Sequence, residues 1–168
     1  TEVMQQLAKE INFSEITFVT STEMENGGYN VRIFMPEVEV PFAGHPVLGT
    51  AYIIRNEIIG EAVDSINLNL KVGQIPVTFA DDGVIWMQQN PPMFGPEFDV
   101  EQVARILNVD VCDIDTRYPI QEVSTGMPFM IVPMVSLDAV NRARVNLDRL
   151  RARIGAYDTI GPAIFCAE

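Results

Sequence analysis

The sequence predicts an α+β fold, a mostly antiparallel or mixed sheet rolled around a central apolar helix at about residues 45–56. Three observations carry that expectation. Short β-branched and aromatic runs outnumber helical ones, and they follow one another as hairpins instead of alternating with helices. Residues 46–54 (PVLGTAYII) hold no charge, and a helix apolar all round is a buried one. With 168 residues, 48% of them hydrophobic, the chain is long enough to bury a substantial core.

The elements follow in order. Val3, Met4, Leu7, Ala8 and Ile11 recur at helical spacing and predict an amphipathic helix over 2–11. ITFVT (16–20) reads as a strand, ENGG (25–28) as a turn, and YNVRIFMP (29–36) as a second strand closed by Pro36, with Val31, Ile33 and Met35 on one face. EVEVPFAG then runs extended into the apolar helix, whose first position is assigned to Pro46 because its ring presets φ and needs no N–H partner. SINLNLKV, IPVTFA and VIWMQQ form an antiparallel meander, with DDG (81–83) a strong hairpin signal. QNPPMFGPEF (89–98) reads as a loop, and Asp99 N-caps a helix over DVEQVARILN. YPIQEVS and PFMIVPM are strands flanking Thr125 and Gly126. SLDAV and NLDRLRARIG are short helices, the second stopped by Gly155, and PAIFCAE starts a final strand.

Charge and composition exclude several functions. A formal charge of −12 opposes binding to nucleic acid or to anionic membrane surfaces. No apolar run approaches a membrane span, and the expected location is the cytoplasm. Cys112 and Cys166 fit neither a disulfide scaffold nor a thiolate zinc site, and a single histidine excludes a histidine-rich metal centre. The opening helix without a preceding strand, and the strand that stops at Glu168, read as the ends of a piece of a longer protein. Trp86 and Tyr29 read as strand-face packing residues, and the arginines at 142, 144, 149, 151 and 153 as a solvated face.

The only histidine, His45, stands between Gly44 and Pro46 at the mouth of the apolar helix. A helix start carries free N–H groups and partial positive charge, and Gly44 leaves them open to an anion. The motif therefore reads as a carboxylate-binding mouth with an imidazole on its lip. A solvated helix end whose histidine merely caps a loop is the other reading. Gly49 inside that helix suggests close approach of a neighbouring backbone. Glu15, between Ser14 and an apolar strand, suits general acid/base work, since apolar surroundings disfavour a carboxylate's charged form. An exposed strand-start glutamate is its plainer reading.

Three segments resemble the PhzF-like family of phenazine-biosynthesis proteins, which shares the fold of diaminopimelate epimerase. They are NFSEITFV (12–19), VRIFMPEVEVPFAGHPVLGTAY (31–52) and VSTGMPFMIVPM (123–134). The resemblance implies two similar domains, each a sheet rolled around a helix, with the active site in the cleft between them. It implies a cofactor-independent isomerase or epimerase acting on a small carboxylate, with no metal. Glu15 and His45 become the catalytic residues, and Ser14, Gly44 and Pro46 the substrate-binding ones. Ala43 stands where diaminopimelate epimerase has a catalytic cysteine, which disfavours a two-thiol racemase. Residues 1–160 would be the first domain without its opening strand, and 161–168 the start of the second. The rest of the same protein would complete the site, and a homodimer is plausible. A binding protein that keeps the pocket without turnover is the competing class.

Overall fold

The amphipathic spacing at the N-terminus forms α1 (Glu2–Ile11) in the computed structural model, which describes residues 1–154 and 161–167. Asn12 ends this helix in the left-handed conformation, at φ 56°. Contacts group the chain into two units, Thr1–Asn90 and Pro91–Glu168. The Gly155 helix stop lies outside the described residues.

In the first unit, β1 (Ile16–Val19) pairs antiparallel with β2 (Tyr29–Phe34). The ENGG turn works because Asn26 and Gly27 take φ of 51° and 79°, the primed-turn geometry that matches strand twist. β3 (Glu39–Val40) pairs with the C-terminal end of β2, while β4 (Ser65–Leu70) runs parallel to its N-terminal end. β5 (Gly73–Phe79) and β6 (Ile85–Met87) complete the meander, with Gly83 closing the DDG hairpin at φ 85°. The sheet is therefore mixed, in the order β1-β2-β4-β5-β6 with β3 branching from β2.

The two faces of β2 have different neighbours. Arg32 and Phe34 point toward α1: the Arg32 guanidinium reaches Thr1 and Met4, and Phe34 packs edge-on against Phe18 at 5.5 Å. Gln5 of α1 donates to the carbonyls of Met35 and Pro36. Val31 and Ile33, on the opposite face, are buried on the side that carries the apolar helix. Tyr29 is buried as expected, but Trp86 is 65% exposed, so it is not a packing residue among the described contacts.

The apolar helix, α2 (Gly44–Ile53), begins two residues earlier than its sequence suggests. Ala43 is the N-cap and Pro46 the third helical residue. The proline is tolerated there because first-turn N–H groups have no intrahelical acceptor. A π-helical segment, Ile54–Ile59, continues α2 and stops at Gly60 with φ 70°. Val47, Thr50, Ala51 and Ile54 are buried, whereas Tyr52 and Ile53 are half exposed. Within this unit the sheet covers one side of the helix, not its whole circumference.

The second unit holds a mixed four-stranded sheet in the order β10-β9-β8-β7. Its members are β7 (Met93–Glu97), β8 (Gln121–Ser124), β9 (Pro128–Pro133) and β10 (Pro162–Phe165), the last parallel to β9. α3 (Val100–Leu107) starts where Asp99 accepts a hydrogen bond from the Gln102 amide, and it buries Val103 and Leu107 in a core with Met130 and Val132. α4 (Leu137–Arg142) and α5 (Leu147–Ile154) follow β9. β7 corrects the loop expected over 89–98. An edge strand with a bulge between Phe94 and Glu97 accommodates Gly95 and Pro96 without breaking an internal ladder.

Candidate active site

Strand alternation and helix pitch bring the two leading sequence candidates together. Glu15 immediately precedes β1, so Glu15, Thr17 and Val19 share the face turned toward α2. His45 is the second residue of α2. The Glu15 Oε2 and His45 Nε2 atoms lie 3.5 Å apart, with the carboxylate side chain 21% exposed and the imidazole 82% exposed. Glu15 Oε2 is itself shielded from solvent and accepts no hydrogen bond. An acceptor buried without a donor is costly and uncommon, so it marks a position shaped by something other than stability.

The pair borders an open hollow of about 370 Å³, lined by Glu15, Thr17, Val19, His45, Pro46, Gly49, Thr50 and Ile53. At the helix mouth no side chain caps α2, and among the described residues the amides of Gly44 and His45 meet no acceptor. The donors, the carboxylate and the imidazole therefore present both signs of partial charge around one hollow.

Of the five residues singled out by sequence, Glu15, His45 and Pro46 line this hollow. Ser14 is exposed beside it, and Gly44 lies at the helix start with its Cα turned toward the Met87 methyl group. Neither contributes to the lining. Gly49 has a different use from the one expected. A Cβ there would meet nothing within 4 Å, so no backbone approaches closely; its missing side chain keeps the hollow open. Thr17, Thr50, Val19 and Ile53 were missed. The readable signal for Thr17 was its place two residues beyond Glu15, and for Thr50 its being a hydroxyl inside an otherwise apolar helix.

Comparison with known proteins places the chain in a family. The profile of the family described as phenazine biosynthesis-like protein matches residues 1–163. An uncharacterized isomerase of Clostridium acetobutylicum is 33% identical over 155 residues, covering 88% of this chain and 50% of the relative. A trans-2,3-dihydro-3-hydroxyanthranilate isomerase of Pseudomonas aeruginosa is 43% identical over 75 residues, 45% of this chain and 26% of that protein. The crystal structure of a PhzF-family phenazine biosynthesis protein from Bacillus anthracis superposes with a TM-score of 0.79 at 28% identity, covering 99% of this chain and 57% of that one. The chain thus spans about half the length of the curated relatives it matches. No helix among the described residues is long and apolar enough to cross a membrane.

Proposed function

Since the chain belongs to the PhzF-like family of phenazine biosynthesis-like proteins, we propose that the whole protein is an isomerase that moves a proton on a small carboxylate-bearing substrate without a cofactor. Glu15 takes the proton from a carbon atom, the C–H electron pair stays in the substrate's conjugated system, and the proton returns at another carbon. Nothing is oxidised or reduced overall. His45 and the open amides at the start of α2 hold the carboxylate or stabilise developing negative charge. Pro46 shapes the rim, with Ser14 and Gly44 as outer contacts of the substrate. The remainder of the same protein supplies the facing wall. A cytoplasmic homodimer with no nucleic acid, membrane or metal partner completes the reading.

One observation carries this proposal: a shielded carboxylate oxygen that accepts no hydrogen bond, 3.5 Å from the chain's only imidazole, at the edge of a hollow. The test incubates the full-length protein in D2O with small amino and cyclic acids, beginning with trans-2,3-dihydro-3-hydroxyanthranilate, and follows deuterium at carbon. Incorporation by the wild type and its loss in Glu15→Gln support the reading. Incorporation that survives the substitution removes Glu15 from the mechanism. Saturable binding with no exchange by the wild type favours the inactive binding protein instead.

A further inference from the structure

Thr50 carries a buried hydroxyl, 5% exposed, in the midst of the apolar stretch of α2. Its hydroxyl lies 2.7 Å from the Pro46 carbonyl and 2.7 Å from the Thr17 hydroxyl. Thr50 has a single hydroxyl hydrogen, and a carbonyl can only accept. The hydrogen therefore goes to Pro46, and Thr17 must donate in the pair between the two threonines. This fixes a directed chain from Thr17 to Thr50 to the first turn of α2. Among the described residues it is the only side-chain hydrogen bond joining β1 to α2, the two elements that position Glu15 and His45. Thr17 stands two residues from Glu15 on the same strand face. Pro46, at the far end, is the neighbour of His45.

Valine would fill both threonine positions with nearly the same shape. The hydroxyls are thus not needed for volume, and a helix this apolar gains nothing from a buried polar group unless that group is satisfied. We propose that Thr17 and Thr50 are positioning residues: their hydroxyl bridge locks the strand that bears Glu15 to the helix mouth that bears His45, and so sets the distance between the two groups. The proposal rests on the isomerase reading of the same hollow. Glu15 and His45 themselves approach only to 3.5 Å, so among the described residues the threonine bridge is the one side-chain hydrogen bond that holds their two elements together. A misplacement of about 1 Å is enough to cost on the order of a hundredfold in rate when reacting groups must be aligned.

The test uses the full-length protein with Thr17→Val, Thr50→Val, the double valine variant, and the two serine variants. Two readouts are needed: steady-state kinetics of the deuterium exchange, and the imidazole resonances of His45, assigned by comparison with His45→Asn. Each valine substitution is expected to lower kcat by roughly ten- to a hundredfold with KM changed less than threefold. The double variant is expected to fall no further than Thr50→Val alone, because that substitution already removes both bonds of the chain. Serine at either site should restore most of the rate, and Thr50→Val and the double variant should share one displaced His45 resonance position. Unchanged kcat together with unchanged His45 resonances would overturn the positioning role. So would additive losses, or serine variants as slow as valine. If no acid exchanges deuterium with the wild type, the isomerase reading fails separately, and the His45 resonances alone decide whether the bridge orients the ring.

Discussion

Two glutamates of the first unit sit in similarly shielded places and are treated in opposite ways. Glu39, 11% exposed, accepts two hydrogen bonds from the Arg32 guanidinium at 2.8 and 2.7 Å, and Lys71 adds an ion pair at 2.8 Å. The Arg32 hydrogen bonds, followed by those of Lys71, hold the Glu39 carboxyl down at about 2. Glu15 has one exposed imidazole near it and one oxygen with no hydrogen bond at all. The first carboxylate closes a sheet corner between β2, β3 and the β4–β5 turn. The second is left chemically unfinished beside an open hollow. Full satisfaction produces a rigid, inert charge, and its absence leaves a carboxylate available to a ligand.

Substitutions break this contrast in order of size. Glu15→Gln in the full-length protein is expected to lower deuterium exchange by roughly a hundred- to ten-thousandfold, the usual span for a general acid/base. The same variant should leave the thermal midpoint nearly unchanged, since no hydrogen bond is lost. Glu39→Gln is the mirror case: about 1–2 kcal/mol of stability lost in urea titrations, because charge-assisted hydrogen bonds are weakened while two cations remain, with affinity for substrate unaltered.

Acid titration sharpens the comparison. Glu39 has a folded-state value lowered from the ordinary 4.5 to about 2, so its contribution is complete above the unfolded value. That contribution fades as pH falls from about 4.5 through about 2, because the unfolded chain binds the proton more readily. Stability measured across that window should therefore drop more steeply in the wild type than in Glu39→Gln. Parallel curves would show that the ion pair does not couple to folding. The smallest effect belongs to Gly49→Ala. A Cβ meets nothing within 4 Å there, and alanine gains up to about 1 kcal/mol over glycine inside a helix. A stabilised protein with weaker substrate binding is the expected result, measured by melting and by KM together.

Much of this arrangement is legible in the sequence where physical signals are local. The 3.6-residue spacing of Val3, Leu7 and Ile11 gives α1, the Asp99 cap gives the start of α3, and DDG gives a hairpin. Signals that depend on partners are harder to read. β7 hides in a proline-rich run because edge position and a bulge, not composition, license it. The onset of α2 is displaced by two residues because proline is tolerated anywhere in the first turn, where the N–H it lacks would have no intrahelical acceptor. Glu15 and His45 are recognisable individually, and it is the pairing of β1 against the α2 side of the sheet that places them 3.5 Å apart. Gly49 looks the same in sequence whether it admits a backbone or an empty space. The Thr17–Thr50 contact spans 33 positions, and only the folded chain brings those hydroxyls within reach.

The 82% exposure of the His45 ring has a consequence for isotopic bookkeeping. Under the proposed mechanism, a tritium that Glu15 lifts from a substrate sits 3.5 Å from so open an imidazole, through which it would be diluted by bulk water before it could be handed back. Appreciable internal return of tritium in the whole protein would therefore report that other parts of the molecule roof over that ring during turnover, and the retained fraction would gauge how long the roof stays shut.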